Sequence, residues 1–427
     1  MKHIYVILIL CSLACSPTKN VTDTSRPDPL PNAPIADVAP LVAMQEISTE
    51  GFSIERLERF DDYLNAEIAA NRIPGAVLLI TRHDEQVYHK SYGEKEINSG
   101  IPMEEDELFY IQSMTKPIIS IAFMMLYEEG HFNLSDPVKK YLPQFDQLKV
   151  ATEHDGDMKL TNAESDITIS QLLSHTAGLS HGLGDSELDQ LYLQALYYQE
   201  HEDIEARVNE LPKLPLVGQP GKQWYYSASP DVLSLLIEKF SGMNTAEFLQ
   251  QRIFDPLGMD DTGYNIAAPE ESRKAVLYTT QPDGTLLKAD RQTPASGHSI
   301  YGGTHGLFST ASDYMKFCTM LLHQGEVDGK YLISRKTLDL MTRNHLNEDI
   351  QYVAGEGFGL GFGIITDLAK TKALASEGNY SWGGAYNTYF FVDPSEDLAA
   401  VLMMQFNPYT DHYADKLRQF VYQALID

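Results

Sequence analysis

Cysteine is nearly absent from this chain. Three occur in 427 residues, and two of them, Cys11 and Cys15, fall in the first fifteen positions. No framework of disulfides can be drawn from so few, so an apolar core must hold the fold. Positive charge is also scarce. Lysine and arginine total 32 against 60 acidic residues, a formal net charge of −28. No basic stretch offsets that charge, so nucleic acid should be repelled and the acidity serves solubility. The chain shows no internal repeat. What is present points to a folded globular protein: 43% hydrophobic residues and 24 tyrosines. The length suffices for two domains, or for one large domain with insertions.

The first fifteen residues read as a targeting segment. Lys2 and His3 precede the apolar run 4–10, which is too short to span a bilayer. Ser12-Leu13-Ala14-Cys15 follows and resembles a bacterial lipoprotein processing site, with Cys15 as the lipidated first residue. Ser12 departs from that pattern, where a larger aliphatic residue is usual, and an ordinary cleaved signal is the alternative. Either way the protein is expected to be exported. With a lipid on Cys15 it would be anchored in the cell envelope, at the periplasm or outer membrane. Cys318 would then be the one thiol left, and it falls in the helical pattern 313–322, where a buried core thiol is expected. Residues 16–50 are rich in Pro, Thr, Ser, Asn and Asp and read as a flexible tether. The domain proper is expected over 51–427.

Ser113-Met-Thr-Lys116 stands just before the apolar stretch 117–126, which reads as a buried helix ending at Gly130. A serine and a lysine three residues apart on a helix share one face. A lysine kept neutral by burial could accept the serine proton, which makes a nucleophile without a histidine. The first turn of the helix also favours a developing negative charge, and Pro117 is tolerated there because early positions need no N–H acceptor. The pattern by itself is weak. Ser16-Pro-Thr-Lys19 repeats it inside the tether, so context must decide.

Along the rest of the chain, a helix is expected over 54–71 and an antiparallel hairpin from strands 75–82 and 86–92. The middle, about 105–300, reads as mainly helical with long loops. Strands return at 358–366, 388–393 and 398–405, and a last helix over 412–425 carries Leu417, Phe420, Val421, Ala424 and Leu425 on one face. This order implies an α+β fold. One antiparallel sheet would be flanked by helices and closed by both ends of the chain. A separate helical lobe would leave a cleft between the two.

The chain resembles the serine β-lactamase and penicillin-binding superfamily, in its class C-like branch with the family VIII carboxylesterases. The likeness runs from about Ile54 to Leu425. It is carried, in order, by 74–76 (Pro-Gly-Ala), 109–117 (Phe-Tyr-Ile-Gln-Ser-Met-Thr-Lys-Pro), 134–137 (Leu-Ser-Asp-Pro) and 172–179 (Leu-Leu-Ser-His-Thr-Ala-Gly-Leu). Further matches are 226–233 (Tyr-Ser-Ala-Ser-Pro-Asp-Val-Leu), 256–259 (Pro-Leu-Gly-Met), 306–310 (Gly-Leu-Phe-Ser-Thr) and 382–384 (Trp-Gly-Gly). The resemblance implies an antiparallel sheet flanked by helices with an all-helical lobe. It implies Ser113 as nucleophile and Lys116 and Tyr226 as proton carriers. Read by residue type alone, Tyr226 is a core aromatic beside Trp224 and Tyr225. A tyrosine titrates near pH ~10, so it can act as a base only if a neighbouring lysine lowers its pKa. The resemblance also implies an oxyanion hole from the backbone N–H groups of Ser113 and Ala385, and a structural role for His175.

Two departures bear on substrate. The lactamases carry Lys-Thr-Gly or a close variant on the strand lining the site, whereas here Trp382-Gly383-Gly384 occupies that place. Read alone, the triplet is a plain β-bulge. A β-lactam carboxylate then lacks its cation, while two glycines and an indole offer close backbone approach and an apolar wall. Ala228 stands where an asparagine would be, and it cannot bond a substrate amide. Both changes favour an ester. The acidic run 153–157 fits no known metal spacing and reads as a solvated loop, and 201–205 lacks the second histidine of a zinc-protease helix. No metal and no organic cofactor are assigned.

The expected activity is that of a serine hydrolase acting through an acyl-enzyme on small esters. A D-amino-acid peptidase or weak β-lactamase is the alternative among enzymes, and a catalytically silent binding protein is the alternative of another class. Specificity would lie in the loops 182–214 and 278–301. The partners expected are a small-molecule ester or amide and, through the anchor, a membrane; oligomeric state is open.

Overall fold

The computed structural model describes residues 48–154 and 157–427. The signal segment, Cys15, most of the tether and its Ser16–Lys19 pair lie outside the described residues. From there the chain enters helix α1 (Ile54–Ala69), which Ser53 caps by accepting from the Arg56 N–H. The hairpin follows as β1 (Gly75–Arg82) and β2 (Glu85–Gly93). A two-residue strand β3 (Phe109–Tyr110) leads into α2 (Thr115–Glu128). The lobe continues with α3 (Glu187–Tyr197), α4 (Ile204–Val208) and α5 (Ser229–Ser241). The chain returns through β4 (Phe308–Ser309) and α6 (Ala311–Leu322) to β5 (Glu356–Phe358), β6 (Gly363–Ile365), β7 (Tyr380–Gly384), β8 (Thr388–Asp393) and β9 (Leu398–Met403). Helix α7 (Asp411–Tyr422) closes it.

Seven strands form one antiparallel sheet in the order β5-β6-β7-β8-β9-β1-β2. Both faces are covered, which is why β1, β8 and β9 are nearly continuous apolar runs rather than alternating ones. On one face Ala76, Leu78, Ile80, Ala400 and Leu402 pack against Leu57, Phe60 and Leu64 of α1 and Leu417 and Val421 of α7. On the other, Val77, Leu79, Ala399 and Val401 join Tyr314, Phe317 and Cys318 of α6 and the helical lobe. Cys318 is buried, as its pattern implied. The chain ends meet: the Ser53 N–H donates to the Ala424 carbonyl at 2.8 Å.

The span 358–366 is not one strand. Strands β5 and β6 pair as a tight hairpin with Phe358 opposite Gly363. Gly361 makes the turn at φ +102°, and a Cβ there would run into the Ser120 side chain of α2. The apolar composition hid the reversal because the turn residues Leu360 and Phe362 are themselves fully buried. Of the acidic run 153–157, residues 155 and 156 lie outside the described residues, while Glu153, His154 and Asp157 belong to two strands that pair Lys149–His154 with Asp157–Asn162.

Helix α2 is apolar on nearly all sides and buried from Thr115 to Leu126, which places it at the centre of the molecule. It packs on α5. Strand β3 pairs with β4, with Tyr110 opposite Phe308. That pairing brings the segment before β4 alongside the start of α2.

Candidate active site

Ser113 lies in a single 3₁₀ turn, Gln112–Met114, that runs directly into α2. Gln112 holds φ +48°. A left-handed residue without glycine's freedom costs on the order of 1 kcal/mol and presents the next side chain sharply. The turn is fixed from several sides. The Tyr314 hydroxyl donates to the Met114 carbonyl at 2.9 Å, and the Ile111 N–H donates to the Leu307 carbonyl at 3.0 Å.

Three predicted residues come together here. Lys116 Nζ donates to Ser113 Oγ at 3.0 Å and to the Thr304 carbonyl at 2.6 Å. The Tyr226 hydroxyl donates to Ser113 Oγ at 2.7 Å. Nζ also lies 4.6 Å from the Tyr226 ring centroid. Lys116 is 1% exposed. Burial pulls its ammonium down to about 7, although Asp231 works the other way. Tyr226 does not follow the sequence expectation that lysine charge lowers it. Burial pushes its phenol well above the ordinary tyrosine value, and the contacts with Ser113 and Trp382 only moderate that rise. At neutral pH the lysine can therefore accept a proton, and the tyrosine holds one.

Tyr226 sits in the irregular segment just before α5. His175 lies behind it, with ring centroids 5.1 Å apart. Its Nδ1 is 2.8 Å from Ser227 Oγ and accepts from the Ser227 N–H at 3.3 Å. Burial, with Lys116 nearby, holds the imidazole neutral by lowering its pKa well below the usual value. His175 thus orients the tyrosine segment. Ala228 is fully buried, and its N–H is taken by the Ser180 carbonyl at 3.1 Å.

Trp382 stands on β7 with its ring 5.7 Å from Tyr226 and 5.2 Å from Phe358. Its buried indole Nε1 meets the Tyr226 region without hydrogen-bond geometry to any described residue. Gly384 is explained by the chain itself: a Cβ there would run into the Ile111 carbonyl and the Thr388 side chain. The bare backbone lets the end of β7 lie against the turn that carries Ser113. Ala385, next along, is exposed.

Sequence reasoning missed a second layer. Asp231, in the first turn of α5, accepts from the Thr304 N–H at 2.9 Å and from Arg207 Nε of α4 at 2.8 Å. Burial opposes its ionisation, but Arg207 and Thr304 hold the carboxyl below its usual range. The pair fixes the peptide whose carbonyl holds Lys116. An aspartate inside the apolar stretch 230–237 was a visible signal, but Arg207 lies 24 residues away and carried none. His181 was also missed. It stacks on Tyr226 at 5.3 Å, and its Nδ1 is 2.7 Å from the Tyr197 hydroxyl.

Comparison with known proteins agrees with this geometry. The family described as Beta-lactamase matches residues 60–424. An uncharacterized protein of Mycobacterium tuberculosis is 33% identical over 355 residues, covering 79% of this chain and 87% of that one. Esterase EstB of Burkholderia gladioli is 29% identical over 367 residues, covering 81% and 89%. Among solved structures, EstCE1, described as a hydrolase with promiscuous acyltransferase activity, superposes with a TM-score of 0.72 at 22% identity. It covers 86% of this chain and 99% of its own. The chain belongs to the Beta-lactamase family and is a serine hydrolase of that fold.

Proposed function

We propose that this protein is a carboxylesterase that acts on small uncharged esters through an acyl-enzyme. The observation that carries the reading is Ser113 Oγ held at 3.0 Å from a lysine whose ammonium titrates near 7 and at 2.7 Å from a protonated tyrosine. Neutral Lys116 accepts the Ser113 proton as Oγ bonds to the ester carbonyl carbon. The backbone N–H groups of Ser113 and Ala385 receive the oxyanion, each donor contributing ~3 kcal/mol to the transition state. When the carbon–oxygen bond to the alcohol breaks, Tyr226 gives the departing alkoxide its proton and recovers one from Lys116. Water then adds to the acyl carbon by the same route in reverse, releasing the acid and restoring the serine.

The substrate class rests on β7 and on Ala228. A lactam or peptide carboxylate asks for a cation or strong donors on the site strand, and this chain presents an indole and two glycines. A small ester asks only for nucleophile, oxyanion hole and apolar wall. Short-chain nitrophenyl esters should therefore exceed any penicillin or cephalosporin in kcat/KM by at least ~10²-fold, a difference of ~2.7 kcal/mol. Equal turnover of the two classes would overturn the ester assignment. Transfer of the acyl group to an alcohol in place of water is the second reading, favoured by the acyltransferase activity described for EstCE1.

A further inference from the structure

Four rings pack about the Tyr226 phenol, and one of them stands apart. Trp224 lies near-parallel at 6.1 Å, but it belongs to the same segment and travels with Tyr226. His175 is tilted by 48° and Trp382 by 45°. His181 comes from a separate loop. Its ring lies 5.3 Å from that of Tyr226 at an interplanar angle of 19°, and the residue is 5% exposed. Behind it Tyr197 continues the stack, 5.7 Å away and 4° from parallel, with its hydroxyl 2.7 Å from His181 Nδ1. His305 closes the row, 5.9 Å from the Tyr197 ring.

The loop that carries His181 is anchored at several points. Asp189, buried in the first turn of α3, accepts from the hydroxyls of Ser180, Ser186 and Tyr225, the last two at 2.6 and 2.8 Å. Gly182 passes so close to α3, at φ +79°, that a Cβ would strike the Leu193 backbone nitrogen. Its N–H donates to Ser180 Oγ at 2.9 Å. The Ser180 carbonyl in turn accepts from the Ala228 N–H at 3.1 Å. Tyr225 and Ala228 flank the catalytic tyrosine in the chain. The loop therefore grips that segment before and after the phenol, while His181 covers the face of the ring. The imidazole is uncharged at neutral pH. Burial, with the Lys116 ammonium and His305 adding to it and Asp231 opposing, lowers its pKa well below the usual value.

Tyr226 must hold its hydroxyl near Ser113 Oγ, 2.7 Å away, and deliver a proton to an oxygen that leaves beside it. A misplacement of ~1 Å at such a group costs ~10²-fold in rate. A flat ring against its face blocks the swing that would cause one. We propose that His181 is a positioning residue: its stacked ring keeps the Tyr226 phenol in line to protonate the departing alcohol oxygen. The role rests on the esterase reading, in which Tyr226 is that acid. It carries a signature that a general structural role does not. A nitrophenolate leaves without a proton and an alkoxide does not, so loss of His181 weighs on alkyl esters and spares nitrophenyl ones.

The test uses the full chain and two esters of one acid: ethyl butanoate, followed by proton release, and p-nitrophenyl butanoate, followed by its colour. Both give the same acyl-enzyme, so their kcat/KM values differ only through acylation. Tyr226→Phe sets the scale and should lower kcat/KM on the ethyl ester ~10²-fold more than on the nitrophenyl ester. His181→Ala should show the same split at about tenfold. His181→Phe, which keeps a flat ring against Tyr226, should restore the ethyl ester to within about threefold of the parent. If His181→Ala does not fold, Tyr197→Ala takes its place. That position is 36% exposed, and losing the ring behind His181 should split the two esters in the same direction. A disturbance passed instead to Arg207, which lies 5.0 Å over the Tyr197 ring, would reach Lys116 and slow both esters alike. Equal losses on the two esters, or no loss, overturn the positioning role and leave Tyr226 as the acid when Tyr226→Phe does split them. A phenylalanine variant as impaired as the alanine one overturns the stacked ring as the means. No split in Tyr226→Phe overturns Tyr226 as the acid, and the role of His181 with it. No turnover of either ester by the parent overturns the esterase reading itself.

Discussion

At the scale of single residues, the decisive quantity is the protonation of Lys116. The side chain is buried at the base of α2 and bonded to a neutral hydroxyl and a carbonyl, so desolvation dominates and its pKa falls to about 7. Such a lysine is a base above that value and a spectator below it. Activity should therefore rise with pH through an apparent pKa of about 7, reading kcat/KM on a neutral ester. No falling limb is expected from Tyr226 across the usual assay range, because burial moves its phenol upward. A profile flat from acid to alkaline pH would sink Lys116 as the base. Ser113→Ala should lower kcat by ~10⁴ or more, because no other nucleophile is placed to substitute. Ser16→Ala should leave turnover unchanged.

At the scale of elements, what could be read ahead followed from local chemistry. Strands β1, β8 and β9, helices α1, α2 and α7, and the Ser113–Lys116 pair announce themselves through apolar runs, caps and spacing. Tyr226 did not. Beside Trp224 and Tyr225 it looks like any core aromatic, and only its likeness to a family motif singled it out. The hairpin between β5 and β6 was hidden because its turn is apolar and buried. Arg207, Asp231, Thr304 and His305 were illegible together because α4, α5 and the segment before β4 meet only in the folded lobe. Gly384 shows how an element's position can depend on one missing atom. Strand β7 pairs Gly384 with Thr388 of β8 while lying against the Ile111 carbonyl. Gly384→Ala must push β7 away from the Ser113 turn, moving Ala385 and its N–H with it. Losing one oxyanion donor typically costs 10²–10³-fold in kcat. The variant should show about that loss while KM changes little and the thermal transition falls by only a few degrees. Unchanged kcat would show that the end of β7 does not serve the reaction.

At the scale of the whole molecule, the sheet separates two layers with different work. The helical lobe, α2 and the nucleophile lie on one side. The layer of α1 and α7 lies on the other, and the chain enters the fold there, with Phe52 buried among Leu57, Leu417 and Val421. Arg82 clasps that edge. It donates to the Glu50 carbonyl at 3.0 Å and pairs with Glu396 at 3.1 Å and Asp427 at 2.9 Å. The entry of the chain is thus held on the face of the sheet opposite Ser113. Between this entry and Cys15 lie about thirty-five residues of tether composition. A lipid on Cys15 would hold the enzyme at a surface, and no described helix is long and apolar enough to cross a membrane. The net charge of −28 adds nothing to adhesion on an anionic surface and opposes it. Cys15→Ser should accordingly move the protein from the membrane fraction to the soluble one, and the purified variant should keep kcat/KM within about twofold of the parent, because the contacts among Ser113, Lys116 and Tyr226 do not involve Cys15. Persistence of the serine variant in the membrane fraction would show that something other than a lipid at Cys15 holds the protein there.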